Sequence, residues 1–345
     1  MLGSIPRKIR RLLAPNGLSL LWSWLFRPTW RQRFIASVRR TADPRALVKN
    51  PPMNQRPGVV VGQQLAALLD SWRPAPRPVV SFVLATYNRI DLLMLAVQSI
   101  RNQDLSVPYE IIIIDGGSSD GSIEWLVRQN DIITVAQHNR SPESGGARRR
   151  SWGYFINLGF RLAQGKWVCM LSDDCLLLPG AVSEGLRHIE GLEAQGRHIG
   201  GGAFYFRDWP KDSRYFIQHT LGGMPMVNHG FFLKEALIDV GYAEEDLYSF
   251  YKADSDLSLK IWDAGYEIVP CPGSYVEHLL LPAEELRILN NKDLERDREL
   301  LIRRWAGRYV EPLDPELFNP PYQRYSDFQD KSGAVEQFAP FLEKS

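Results

Sequence analysis

From residue 79 the chain alternates short, continuous apolar runs with segments of helical spacing. Continuous apolar runs of this length are typical of parallel strands that are covered on both faces. The predicted strands lie at 79–85, 110–114, 132–136 and 166–171, and the predicted helices at 91–101, 122–130, 147–163 and 179–195. This β-α-β-α order predicts an α/β fold with a mostly parallel sheet, helices on both faces and right-handed crossovers. Pro179 is expected to open the last of these helices.

The composition is that of an ordinary globular protein, with 44% hydrophobic and 23% charged residues in 345. It excludes collagen-like and disordered chains and allows one large domain or two smaller ones. The three cysteines are odd in number and lack the paired spacing of a metal site. We therefore expect a reducing compartment and cysteines that pack as small hydrophobic residues.

Charge is distributed unevenly behind a net value of +1. Residues 1–78 hold 14 basic and two acidic residues, whereas the remainder holds 27 basic and 38 acidic residues. Because the larger part is acidic, a uniformly basic nucleic-acid binder is excluded, and no nucleic-acid partner is expected.

The first 50 residues predict a basic, amphipathic helical extension. One helix is expected at 18–26, and a second segment places Trp30, Phe34, Ile35 and Val38 on one face. Basic, aromatic-rich helices of this type lie in anionic membrane interfaces, but docking on the acidic body or on a partner subunit is the alternative. The longest apolar stretch has nine residues, about half of what a membrane-spanning helix needs. No secretory cleavage signal is apparent.

Polar side chains follow three of the predicted strands. They are Thr86, Tyr87 and Arg89 after the first, Asp115, Ser118 and Asp120 after the second, and Ser172, Asp173 and Asp174 after the fourth. Ligands of such sheets bind beyond the carboxyl ends of the strands, so these side chains are expected to converge.

Each acidic group has a ligand-binding interpretation and a structural one. Asp115 can accept hydrogen bonds from a ribose or a base, or it can cap a turn; capping is equally open for Asp120. Asp173 and Asp174 suit a hard divalent cation that also binds diphosphate oxygens, with a solvated turn as the alternative.

A further helix is predicted from about Asp256 and is closed by Gly265. Asp254 or Asp256 lies in its first turn, where a carboxylate is stabilised. A strand at 266–269 and His278 follow, although a lone histidine is more often structural than a ligand. A last helix is predicted at 291–305.

Taken together, these stretches resemble the GT-A fold glycosyltransferases of the inverting family 2. The matching pieces run in family order over roughly 79–310: SFVLATYNR (81–89), IIIIDGGSSDGS (111–122), 157–182, 229–250, 253–269 and His278. The resemblance implies transfer of a hexosyl or deoxyhexosyl group from a nucleotide-sugar donor to an acceptor hydroxyl, with Mn²⁺ or Mg²⁺ as cofactor.

The resemblance also implies roles for individual residues. Asp254 matches the general base, and Asp174 and His278 match the metal ligands. Donor binding is implied for Thr86, Tyr87, Arg89, Asp115, Ser118, Asp120, Asn157 and Asp173. Supporting positions are Ser172, Asp256 and Arg148.

The domain organisation follows from the same pattern. We expect an extension at 1–50, a proline-rich connector at 51–78, a GT-A domain at 79–310 and a tail at 311–345. Within the domain, the resemblance implies a nucleotide-sugar half at 79–180 and an acceptor half at 181–310.

Two departures from the family pattern leave another function open. Ser172 replaces the first acid of the metal motif, and Ala253 replaces the acid before the general base. A GT-A-like protein that binds a nucleotide sugar or a glycan without turnover is therefore an alternative. A nucleotidyltransferase is disfavoured because residues 85–89 contain no glycine for a triphosphate loop.

The expected setting is the assembly of bacterial surface glycans or polysaccharides. The acceptor implied is a glycan or a lipid-linked glycan. The expected location is cytoplasmic, peripheral on the inner face of the cytoplasmic membrane through residues 1–50.

Overall fold

The structure is a computed structural model that describes residues 76–138, 150–279, 293–309 and 323–326. The predictions on the extension 1–50, on the connector up to residue 75, on Arg148 and on most of the tail lie outside the described residues. Among the described helices, none combines the length and hydropathy that a bilayer crossing requires.

The first half of the domain forms the predicted parallel sheet. Its strands are β1 (Val80–Thr86), β2 (Tyr109–Asp115), β3 (Ile132–Ala136) and β4 (Trp167–Ser172). The β1 strand lies between β2 and β4, and β3 pairs with β2, all in parallel. In this register Thr86 is level with Asp115, and Ala85 is level with Ser172. The carboxyl ends of these strands therefore share one edge, as predicted.

Helices connect these strands as the alternation predicts. They are α1 (Ile90–Arg101), α2 (Ser122–Leu126), α3 (Trp152–Leu162) and α4 (Ala181–Glu193). The prediction of a helix at 122–130 was too long, because the backbone hydrogen bonds donated by Arg128 and Gln129 are of the tighter i to i−3 type.

The α4 helix begins two residues later than the predicted Pro179. Gly180 is its N-cap, with a left-handed φ of 79°, and its carbonyl accepts the first helical bond from Glu184. Pro179 therefore lies outside the helix. The α3 helix is capped by Ser151, whose hydroxyl accepts a hydrogen bond from the Tyr154 amide.

The second half of the domain extends the same sheet with mostly antiparallel pairs. Its strands are β5 (Cys175–Leu177), β6 (Ile199–Trp209), β7 (Phe216–Gln218), β8 (Gly230–Leu233), β9 (Glu267–Leu279) and β10 (Gln323–Tyr325). Antiparallel β8 joins β4 to β6, and β9 pairs in parallel with β6 and antiparallel with β5. The strand predicted at 266–269 is thus the start of a 13-residue strand that ends at Leu279.

Three helices belong to this half: α5 (Lys234–Asp239), α6 (Ala253–Asp263) and α7 (Leu294–Trp305). The α6 helix begins three residues before the predicted Asp256, so both Asp254 and Asp256 lie in its first turn. Gly265 follows its end with a φ of 86°, as expected for a residue that closes a helix.

The core lies on both faces of the central sheet. Its largest fully buried side chains include Phe82, Phe160, Trp167, Phe231 and Phe232. The cysteines Cys169, Cys175 and Cys271 are buried and form no disulfide, which confirms that they pack as hydrophobic residues.

We expect Gly230→Ala to destabilise the domain strongly. Gly230 has a φ of 130°, and a Cβ there would lie 2.2 Å from the backbone oxygen of Gly202 on the paired strand β6. Overpacking and a disallowed φ together should lower the free energy of unfolding by about 3 kcal/mol or more. Chemical denaturation measures this change. The control is Gly191→Ala on the exposed face of α4, where a Cβ meets nothing within 4 Å; equal stabilities for the two variants would contradict the prediction.

Candidate active site

A cleft of about 610 Å³ opens at the carboxyl edge of β1 and β4. Predicted site residues that line it are Thr86, Tyr87, Arg89, Ser172, Asp173, Asp174, Asp254 and His278. The six residues from Thr86 to Asp174 follow or end β1 and β4 in the first half of the domain. Asp254 and His278 belong to the second half. The cleft therefore brings together side chains that are far apart in the sequence.

Arg89 neutralises the two adjacent carboxylates at the end of β4. Its Nη1 lies 3.0 Å from Asp173 Oδ1 and 2.9 Å from Asp174 Oδ2. The Thr86 hydroxyl donates to the other oxygen of Asp173 at 2.8 Å. Both acids are nearly fully buried, so without these donors their mutual repulsion would be large.

His278 stands between two carboxylates. Its Nδ1 lies 2.6 Å from Asp208 Oδ1, and its Nε2 lies 3.5 Å from Asp174 Oδ1. Strand register produces this arrangement, because His278 on β9 is level with Asp208 on β6 and with Cys175 on β5. Asp208 thereby fixes the orientation of the ring and leaves Nε2 directed towards Asp174.

The electrostatics of this group follow from burial and from the neighbouring charges. Burial alone would lower the pKa of His278, but Asp174 and Asp208 outweigh it and raise that pKa to about 10. Burial would raise the pKa of Asp174, yet His278 and Arg89 hold it below its ordinary value. Burial and the charge of His278 lower the pKa of the adjacent His229 to about 3. An Asp174 carboxylate that stays ionised is the state in which it can bind a cation.

The residues present fit a divalent cation. Asp174, Cys175 and His278 each offer a ligand atom, and these atoms lie within 4.8 Å of one another. Burial raises the pKa of the Cys175 thiol well above its usual value, so it is not a good ligand for a hard cation. Asp174 and His278 remain, with Asp208 in the supporting position that carboxylates commonly take behind a metal-binding histidine.

Asp254 faces the same cleft from the first turn of α6. Its Oδ2 accepts a hydrogen bond from Asn228 Nδ2 at 3.0 Å, and its Oδ1 accepts one from the Ser255 amide at 2.8 Å. Burial raises the pKa of Asp254, although the charge of Lys252 opposes this. A raised pKa makes the carboxylate a stronger base.

Asp115 is the last residue of β2 and directly precedes the cleft residue Gly116. Its side chain is fully buried, and Oδ1 accepts hydrogen bonds from the amides of Gly117 and Ser118, both at 2.7 Å. Its Oδ2 has no hydrogen-bond partner among the described residues. The neighbouring Gly116 lines the cleft. A donor group of a bound ligand would satisfy this oxygen.

Ser118 and Asp120 shape the loop around Asp115 and do not line the cleft. The Ser118 hydroxyl accepts a hydrogen bond from the Asn88 amide at 2.9 Å. Asp120 accepts hydrogen bonds from the Ile90 amide and from Ser122. For Asp120 the structure thus has the turn arrangement that the sequence left as an alternative, since its Oδ1 accepts from the Ser122 amide at 3.1 Å while Gly121 is the N-cap of α2.

Two predicted residues lie away from the cleft, where other groups engage their side chains. The Asn157 amide bonds to the backbone of Ala243 and to Glu245. Asp256 Oδ1 accepts hydrogen bonds from Tyr248 and Trp305. Both side chains are fully buried, so these positions connect elements of the fold.

The surroundings of Ala253 explain why an acid does not precede Asp254 in this chain, which is one departure from the family pattern. Its side chain is buried in a small apolar cluster with Leu259, Leu301 and Trp305. A carboxylate at this position would be buried among apolar groups, whereas Asp254 beside it reaches the cleft.

Several residues that line the cleft were not predicted from the sequence. They are Trp152, Asp208, Asn228, Tyr251 and Lys252. Asp208 could have been predicted, because it follows closely after the apolar run 199–206, much as Asp115 follows a run of isoleucines. The others stand in segments without a strand pattern that would indicate where they point.

Comparisons with known proteins agree with this geometry. The model of the family "Glycosyl transferase family 2" matches residues 81–233. The succinoglycan biosynthesis protein ExoO of Rhizobium meliloti is 30% identical over 125 residues, which are 35% of this chain and 32% of ExoO. The GalNAc(5)-diNAcBac-PP-undecaprenol beta-1,3-glucosyltransferase of Campylobacter jejuni is 32% identical over 124 residues, 33% of this chain and 38% of that enzyme. The chain thus spans about a third of the length of these two relatives.

A solved structure shares the fold. The mannosyltransferase of Pyrobaculum calidifontis, in complex with GDP-Man and Mn²⁺, superposes with a TM-score of 0.50 at 19% identity, covering 75% of each chain. The sheet order, the strand-end acids and the family match in 81–233 lead to one conclusion. Residues 81–233 match glycosyltransferase family 2, and the described residues have a GT-A fold.

Proposed function

We propose that the protein is an inverting glycosyltransferase that moves a sugar from a nucleotide-sugar donor to an acceptor hydroxyl. The observation that carries the proposal is that Asp174 and His278 share one cleft with Asp254. The first two residues can hold a cation beside a diphosphate, and the third can accept a proton.

The proposed reaction is a single displacement. The acceptor oxygen forms a bond to the anomeric carbon, and the bond from that carbon to the diphosphate oxygen breaks with its electron pair. Asp254 takes the proton of the attacking hydroxyl, since a neutral hydroxyl is a poor nucleophile. The products are a glycoside with inverted configuration and a nucleoside diphosphate.

Other residues of the cleft bind and orient the donor. Asp174 and His278 would hold Mn²⁺ or Mg²⁺, which when bound neutralises charge on the departing diphosphate. Arg89 pairs with both Asp173 and Asp174, although burial outweighs its charge at Asp173 and raises the pKa of that carboxyl to about 6. The Oδ2 of Asp115, which has no partner among the described residues, is proposed to accept a hydrogen bond from the nucleoside, with Thr86 and Tyr87 beside it.

The acceptor class is proposed from the relatives. One is named for succinoglycan biosynthesis, and another acts on an undecaprenol-linked glycan. We therefore propose a glycan or lipid-linked glycan acceptor and a role in bacterial surface glycan assembly.

A donor screen tests the proposal. The purified full chain is incubated with UDP-, GDP- and dTDP-sugars in the presence of Mn²⁺ or Mg²⁺, and thermal stability and release of nucleoside diphosphate are measured. We expect one donor class to stabilise the fold and to be turned over. Stabilisation without turnover on any acceptor would favour a binding protein, and no effect from any donor would contradict the proposal.

We also propose that residues 1–50 bind the protein to the inner face of the cytoplasmic membrane. The segment holds 11 basic residues and one acidic residue, and each basic residue near an anionic surface contributes about 1 kcal/mol. Deletion of 1–50 should abolish sedimentation with anionic liposomes and leave donor binding unchanged. Neutral liposomes serve as the control. Equal sedimentation of the truncated and full chains would contradict membrane binding through this segment.

A further inference from the structure

The α7 helix places a buried carboxylate against the backbone of a loop in the cleft wall. Asp297 has no exposed surface. Its oxygens accept hydrogen bonds from the backbone amides of Ser249, Phe250 and Tyr251 at distances of 3.0 to 3.1 Å. These partners lie 46 to 48 residues earlier in the chain.

Three successive amides that point at one carboxylate define the conformation of the loop. Consecutive N–H groups converge in this way only in a tight, concave backbone arrangement that favours an anion. Removal of either partner would leave a buried carboxylate or buried amides without hydrogen bonds, which destabilises the fold. Asp297 and the segment 249–251 therefore hold each other in place.

This segment leads directly into the catalytic wall of the cleft. Phe250, Tyr251 and Lys252 line the cleft, and α6 with Asp254 follows at once. Lys252 has a left-handed φ of 70°, an unfavourable conformation for a residue with a side chain. Such a conformation persists where the surroundings fix it, and Asp297 is part of what fixes it here.

The same helix is also tied to α6 at its other end. Trp305 Nε1 donates to Asp256 Oδ1 at 2.8 Å, and Arg304 Nε lies 3.0 Å from the same oxygen. Through Asp297, the α7 helix contacts the loop that precedes α6. Through Arg304 and Trp305, it contacts α6 itself.

Resting on the proposed function, we propose that Asp297 is a positioning residue that shapes the segment 249–252 into an acceptor-sugar subsite beside Asp254. The rings of Phe250 and Tyr251, 5.0 Å apart at their centroids and nearly perpendicular, supply the apolar surface for a sugar ring. Asp297 itself touches no substrate.

The test is Asp297→Asn in the full chain, which keeps the size of the side chain and removes its charge. Acceptor probes are the octyl glycosides of glucose, galactose and N-acetylglucosamine, with the donor found by the screen. We expect the acceptor KM to rise roughly tenfold or more, as for loss of a buried charged hydrogen-bond group. The affinity for the nucleoside diphosphate with Mn²⁺ should stay within about twofold, since none of the groups proposed to hold them belongs to the segment 249–252 or to α7.

Asp293→Asn is the matched control, because this residue precedes the same helix and its side chain makes no capping hydrogen bond. It should leave both parameters unchanged. An unchanged acceptor KM in Asp297→Asn would overturn the inference, as would a parallel loss of nucleotide affinity, which would assign Asp297 to the stability of the whole domain.

Phe250→Ala covers the case in which Asp297→Asn does not fold. The half-buried ring lines the cleft, so its removal should raise the acceptor KM while nucleotide affinity is kept. An unchanged acceptor KM in this variant overturns the inference. A parent chain that turns over no donor contradicts the proposed function itself, and the inference falls with it.

Discussion

Asp254→Asn is expected to lower the rate of sugar transfer by about 10²–10⁴-fold, the contribution usually made by a positioned general base. The amide keeps the shape of the side chain but cannot accept the proton of the attacking hydroxyl. Nucleotide-sugar affinity should stay close to that of the parent, because Asp254 is not among the groups proposed to bind the nucleotide and the cation. Turnover at saturating substrate and calorimetric donor binding measure the two effects separately.

Asp263→Asn provides the control for this variant. It removes the same charge at the far end of α6, where Asp263 pairs with Arg308 on the surface. Turnover by Asp254→Asn at the rate of this control would exclude Asp254 from the role of base.

The acid limb of the pH profile gives an independent check on the same residue. Burial raises the pKa of Asp254 above its ordinary value. Since only the ionised carboxylate accepts a proton, kcat/KM should fall as pH drops through this raised pKa, at a higher pH than for an exposed aspartate. An acid limb at or below the ordinary aspartate range would contradict the assignment.

The second large effect is expected for the cation site. His278→Ala should abolish Mn²⁺ binding and, with it, sugar transfer, because it leaves Asp174 as a single ligand. Asp208→Asn should instead weaken Mn²⁺ binding by about 10–100-fold, the usual cost of losing the group that orients a metal-binding histidine. Raised Mn²⁺ should therefore restore transfer in Asp208→Asn and not in His278→Ala.

Calorimetric titration with Mn²⁺ alone measures these affinities without reference to activity. His198→Ala is the control, because His198 is exposed and stacks on Tyr266. Unchanged Mn²⁺ affinity in His278→Ala, or full transfer activity of the parent in excess chelator, would contradict the cation site.

Part of the site could be predicted from the sequence because it depends on local order along the chain. Thr86, Arg89, Asp173 and Asp174 directly follow strands whose apolar runs are unmistakable. Once parallel pairing is inferred, their convergence needs no further information, since the carboxyl ends of parallel strands meet at one edge. The structure places all four at the cleft.

The sequence does not distinguish neighbouring acids where a side chain's direction depends on packing. Asp254 and Asp256 lie in the same first turn and carry the same charge. Only Asp254 reaches the cleft, whereas Asp256 is buried against Trp305. The periodicity of α6 does not separate the two positions, because the arrival of α7 from a later part of the chain decides which face is covered.

The alternating α/β order, the parallel first half of the sheet and the acids at its carboxyl edge all follow from local patterns of residues along the chain. The partners of Asp208 and Asp297 depend instead on how distant elements pack together. Asp208 and His278 are 70 residues apart, and Asp297 lies 46 to 48 residues from the amides that it holds. The register of β6 with β9 and the docking of α7 bring these groups together. Both are properties of packed elements, which no local pattern of residues records.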